Sequence, residues 1–214
     1  MRKWLMRPAA KPVLFVLLSL PFAFLVWGAF TDNLGANPAE YLSRATGDWT
    51  LRLICLVLAI APLRKITHTP QLTRFSRMCG LFTYFYVALH FLSYAWFDMG
   101  FDVGDIVRDI PKRPFILVGC LALVLMTPLA ATSFNRAIRA LGAARWKALH
   151  RLIYLIAPLA ILHFFWMRAG KNNFAEVGVY AAIVVLLLGW RIWDFLNEKR
   201  RRLYSSGLGK LQKT

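Results

Sequence analysis

Three of the chain's four histidines fall in apolar segments. His90 lies in FTYFYVALHFLSYAWF, and His150 and His163 lie in RWKALHRLIYLIAPLAILHFF. Imidazole titrates near neutrality and ligates metals as a neutral ring. Among Leu, Ile and Phe it has three obvious uses: a metal ligand, a proton relay, or an interhelical hydrogen bond. The fourth, His68, follows Arg64 and Lys65 in a polar stretch. The three cysteines, Cys55, Cys79 and Cys120, lie in apolar runs with no CxxC pair and read as buried small hydrophobes.

The elements that must position these histidines are membrane spans. The chain has 214 residues, of which 58% are hydrophobic and 17% charged, against about 25% charged in a soluble domain. A bilayer core takes about 20 apolar helical residues. Six segments qualify: Val13–Phe30, Trp49–Leu63, Met78–Phe97, Pro114–Phe134, Ala148–Met167 and Val177–Trp190. The first is too long for a signal peptide, and no A-x-A site follows it. The expected fold is an all-α integral membrane protein, a six-transmembrane-helix bundle. It divides into an N-terminus over 1–12, a transmembrane domain over 13–195 and a basic tail over 196–214.

Charge placement gives the orientation. The N-terminus, the second and fourth loops and the tail hold nineteen of the 27 Lys and Arg residues; the opposite loops hold six. The positive-inside rule puts both termini in the cytoplasm. Eight of the ten acids fall in the outer loops. The formal net charge of +17 is then a topology signal, and no nucleic-acid motif accompanies it. No GxGxxG or P-loop pattern occurs.

Depth pairs two of the histidines. At about 1.5 Å per residue, His90 lies about 18 Å into the third span and His163 about 22 Å into the fifth, both counted from the cytoplasmic end. Two imidazoles at one level on facing helices suit a haem iron held from both sides. Zinc wants three or four ligands, and a proton relay would use mid-span acids that are missing here. His150 lies near the inner surface. Thirteen residues turn an ideal helix so that it points about 140° away from His163, unless Pro158 alters the angle. A second haem at His150 would need another ligand. At that level the third span offers Arg77 and Met78 but no histidine. Arg145, Lys147 and Arg151 crowd the same end and could bind haem propionates, a flavin phosphate or lipid headgroups. Of these, Arg151 lies inside the apolar run.

The segments MCGLFTYFYVALHFLSY, KRPFILVG, RWKALHRLIY and LGANPAEYLSRATGDW carry a family resemblance, made specific by their order and spacing along the chain. Together they resemble the MsrQ family, haem-binding membrane subunits of periplasmic methionine sulfoxide reductase systems within the ferric-reductase-like transmembrane superfamily. The resemblance spans about residues 13 to 195. It implies one or two b-type haems ligated at His90, His150 and His163, and an FMN in some members. It also implies a bacterial inner-membrane location, electrons from the quinone pool, and delivery to a soluble molybdopterin partner, MsrP. Arg77, Arg145 and Arg151 are the candidate propionate or phosphate contacts. The superfamily's NADPH oxidases carry a second third-span histidine and a flavin/NADPH domain, neither of which is found here. The chain is thus expected to be a non-catalytic electron-transfer subunit. A small transporter and a cofactor-free membrane anchor are the alternatives.

Overall fold

A computed structural model describes residues 5–170 and 172–211. Every regular element among the described residues is a helix, with no strand. The main helices are α1 (Ala10–Phe30), α2 (Pro38–Ile66), α3 (Ser76–Ser93), α4 (Val103–Asp109), α5 (Pro114–Ala131), α6 (Asn135–His150), α7 (Ile153–Ala169) and α8 (Ala175–Leu211). A 3₁₀ segment, Pro70–Phe75, leads into α3, and a π-helical turn, Tyr94–Asp98, ends it.

By length and composition, five helical stretches of the described residues can cross a membrane: Ala10–Phe30, Pro70–Asp98, Pro114–Ala131, Asn135–Ala169 and Ala175–Arg201. The sequence predicts six. The missing one is α2, whose first half carries Glu40, Arg44, Asp48 and Arg52. Yet α2 is central to the bundle. Asn37 caps its start by accepting from the Glu40 amide, beside Pro38 in the first turn. Its 29 residues extend over about 43 Å.

Cross-bundle contacts fix the directions. His90 in the last turn of α3 bonds the Ser43 carbonyl near the start of α2, so these two helices run antiparallel. Arg52 meets Tyr180, and Lys65 meets Asp194 and Glu198, so α2 and α8 run parallel. Arg74 donates to the Leu5 carbonyl. The described start of the chain and the Asp194–Glu198 turn of α8 therefore lie at the same end of the bundle as Lys65, here called the basic end. The opposite end carries the Asp98–Lys112 loop and is the acid-rich end.

The core joins five helices. Ile54 and Leu58 of α2 pack with Val87 of α3, Ala122 and Met126 of α5, Ile156 and Ala157 of α7, and Val184 of α8. Lipid is as apolar as Leu, so these contacts stabilise by close packing rather than by removal from water. Tyr86 is fully buried; its hydroxyl accepts from the Phe22 amide and donates to the Leu18 carbonyl. It thereby ties α3 to the turn of α1 around Pro21.

The fifth predicted span is divided. The α6 helix ends at His150, and α7 begins at Ile153. Across Arg151 and Leu152 the backbone bonds tighten to the three-residue spacing. His150 and His163 therefore occupy different helices, and the 140° angle drawn for one ideal helix does not apply. Gly142, at φ 75°, also interrupts α6, a conformation open to glycine without strain.

Candidate cofactor site

His90 and His163 face each other across the acid-rich half of the bundle. Their ring centroids are 6.0 Å apart and their planes are inclined at 81°. Each ring is held by the same device. His90 Nδ1 lies 2.8 Å from the Ser43 carbonyl of α2, and His163 Nδ1 lies 2.6 Å from the Phe115 carbonyl of α5. A carbonyl only accepts, so Nδ1 carries the proton in both rings and the lone pair is on Nε2. That tautomer, with Nδ1–H tied to a backbone oxygen, is the one metal-ligating histidines adopt.

A glycine follows each accepting carbonyl by four residues. Gly47 comes one turn after Ser43, and a Cβ there would stand 3.1 Å from His90 Cε1. Gly119 comes one turn after Phe115, and its Cβ would stand 2.8 Å from His163 Nδ1. Residues four apart share a helix face, so in each case one face supplies both the acceptor and the room for the ring. Sequence reasoning does not single out these glycines, although both lie in the segments that carry the family resemblance, ATGDW and FILVG.

The two rings open on a cavity between α2, α3, α5 and α7 with about 1350 Å³ of empty space, its mouth included. Deep in the cavity the wall is apolar, made by Ile54, Val87, Met126 and Ile156. Toward the acid-rich end it becomes charged, with Arg44, Arg113 and Arg168 beside Asp48 and Asp98. Arg168 pairs with Glu176 and lies over the Phe164 ring. Its Nε is buried with no hydrogen-bond partner, a costly state for a charged group unless an anion meets it.

These residues fit a haem. Two metal–imidazole bonds of about 2 Å each, with the ring radii added, separate centroids by roughly 6 Å. Among the described residues no group of three or more His, Cys, Asp or Glu side chains converges. A metal held by His90 and His163 must therefore bring its other ligands with it, as a porphyrin does. Apolar walls suit the macrocycle, and the arginines at the mouth suit its carboxylates.

The remaining sequence candidates lie elsewhere. His150 closes α6 near the basic end. Its Nδ1 lies 3.0 Å from the Trp146 carbonyl, its ring stacks on Trp146 at 3.9 Å, and its Nε2 is 3.5 Å from Ser133 Oγ. Arg77 donates to Asn135 Oδ1 at 2.7 Å. Arg145 and Arg151 are exposed. None of these four lines the cavity. The arginines that do, Arg44, Arg113 and Arg168, are read from sequence only as outer-loop charges.

Comparison with known proteins shows the family. Residues 46–161 match the family described as ferric reductase like transmembrane component. A protein of Polaromonas naphthalenivorans, named protein-methionine-sulfoxide reductase heme-binding subunit MsrQ, is 69% identical over 202 residues, covering 94% of this chain and 92% of its own. The protein of that name in Ralstonia nicotianae is 51% identical, covering 93% and 92%. That of Caulobacter vibrioides is 44% identical, covering 81% and 82%. No solved structure matches the chain.

Proposed function

The chain belongs to the ferric reductase like transmembrane family and, within it, to the MsrQ haem-binding subunits, and from that premise we propose that it carries electrons through b-type haem to a methionine sulfoxide reductase. The donor in this reading is a quinol of the bacterial inner membrane. The acceptor is a periplasmic molybdopterin subunit, MsrP, which repairs oxidised methionine in periplasmic proteins. The acid-rich end faces the periplasm, α2 is the sixth span, and both termini are cytoplasmic. The chain makes no bond in the final substrate.

One observation carries the reading: the His90–His163 pair at 6.0 Å, with each Nδ1 spent on a carbonyl. Bound haem iron supplies the one-electron change. The chain's own residues set its conditions. Ser43 and Phe115 orient the imidazoles and fix their tautomer. The apolar wall excludes water. Arg44, Arg113 and Arg168, which line the cavity toward the acid-rich end, would hold the propionates on the acceptor's side. His150 is assigned to a second haem near the basic end. Its Nδ1 faces a carbonyl in the same way, which supports Nε2 as the ligand. Arg77, Arg145 and Arg151 are the anion contacts on that side, for a propionate or the phosphate of an FMN.

Detergent-purified chain tests this directly. It should show a Soret band that shifts on reduction with dithionite. His90→Ala and His163→Ala should each remove one haem's worth of absorbance. A colourless folded preparation overturns the reading, and a full spectrum in both variants overturns the ligand pair.

A further inference from the structure

A second recess adjoins the haem cavity from the lipid side. It is a groove between α1 and α2 with about 1440 Å³ of empty space, open along its length. Its two walls differ in chemistry. The α1 wall is apolar: Leu17, Leu20, Pro21 and Phe24. The α2 wall is a stripe of Tyr41, Ala45, Asp48, Trp49 and Arg52. These residues recur at three- and four-residue steps and so share one helix face. Ala45 leaves the middle of that face open.

The depth of this stripe is its unusual property. Arg52 is the middle residue of the 29 in α2, about 21 Å from either helix end; with α2 as the sixth span proposed above, it lies near the centre of a bilayer about 30 Å thick. It is exposed, lies 4.8 Å over the Trp49 ring, and donates Nε to the Tyr180 hydroxyl. Asp48 follows Gly47, where a Cβ would stand 3.1 Å from the His90 ring, so the residue sits within about one helical turn of that imidazole's level. Ionisable groups at this depth are costly and mark ligand sites or pathways. A phospholipid headgroup belongs at the membrane surface, above both residues. The occupant must instead be a lipid-soluble molecule with a polar ring head and an apolar tail.

We propose that this groove binds a membrane quinol, with its head between Asp48 and Arg52 and its tail along Leu20 and Phe24 of α1. The carboxylate accepts from a quinol hydroxyl, the guanidinium donates to a ring oxygen, and Trp49 offers an aromatic face. Asp48, Arg44 and Arg168 line both the groove and the haem cavity, so only the thickness of α2, about 10 Å, separates the two sites. The proposal rests on the electron-transfer reading above and gives its donor a place.

The test uses the full haem-loaded chain in detergent under argon and the reduced, quinol form of a one-isoprene benzoquinone, with binding followed by quenching of tryptophan fluorescence. The wild-type chain should bind it saturably. Arg52→Leu removes the donor, and Ala45→Phe fills the groove. Each should weaken binding by about tenfold or more, with the Soret band unchanged as proof of folding. A wild-type chain with no saturable binding overturns the proposal. So does equal affinity in both variants, or a co-purifying phospholipid in the groove that the quinol does not displace. In any of these cases an intact Soret band leaves the haem reading standing. Absence of that band would sink the haem reading instead.

Discussion

Gly119 leaves open the space that the His163 ring fills: a Cβ on it would stand 2.8 Å from Nδ1 and 2.9 Å from Cε1. The neighbour is a ring held by a 2.6 Å bond to the Phe115 carbonyl, not the end of a flexible chain. Gly119→Ala must therefore push the imidazole off its acceptor. Overpacking of this kind costs about 1–3 kcal/mol, or roughly five- to hundredfold in haem affinity. Gly47→Ala meets His90 at 3.1 Å and should cost less. Haem content per chain, measured as the pyridine haemochrome, should fall in the order wild type, Gly47→Ala, Gly119→Ala. Full haem content in Gly119→Ala would show that the ring does not need this position.

The pairing of His90 with His163 is legible in the sequence because so little else inside the spans can ionise; two histidines at one depth stand out against Leu, Ile and Phe. The glycines are not legible. A helical glycine gives no sign of what it faces, and only the interhelix geometry shows Gly47 and Gly119 against the rings. The extent of α2 is hidden for another reason. Glu40, Arg44, Asp48 and Arg52 lower its apolar character, so the predicted span begins at Trp49. In the fold three of these charges, Arg44, Asp48 and Arg52, line recesses and the helix continues past them. The division at Arg151–Leu152 is equally silent, because both residues keep helical angles while their bonds tighten.

His150 offers a separation of the two proposed haems. Its ring is tied to Trp146 and Ser133, and it does not line the cavity shared by His90 and His163. His150→Ala should therefore remove only the second haem. Low-temperature difference spectra should retain the signals lost in His163→Ala. Loss of all haem in His150→Ala would mean that the two sites fold as one.

Arg168 should tune the reduction potential. Its Nε is buried and unpartnered in the cavity wall, and a cation there favours the state with one more electron. Arg168→Gln should lower the potential, and Glu176→Gln, which removes the counter-charge, should raise it. One electron moved by 59 mV corresponds to about 1.4 kcal/mol. A drop of about 30–60 mV is expected for Arg168→Gln. Glu176 is 57% exposed, so screening makes its effect smaller. Spectroelectrochemical titration reads both, and shifts of the same sign would refute the assignment.

Tyr86 decides how firmly α1 is attached. The hydroxyl takes the Phe22 amide at 3.1 Å and gives to the Leu18 carbonyl at 2.8 Å. Those two backbone groups are four residues apart in one helix, so in Tyr86→Phe they can bond each other. The variant should therefore lose only about 1 kcal/mol, roughly 2–4 °C in melting temperature. What disappears is the polar tie between α1 and α3. Hydrogen exchange should speed up over residues 18–25 of α1, while α3 stays protected and haem content is unchanged. Because α1 forms the apolar wall of the groove, quinol affinity should fall in parallel with that protection. Unchanged exchange in α1 would mean that side-chain packing alone, Leu18 against Leu53 and Tyr86 among it, holds the helix in place.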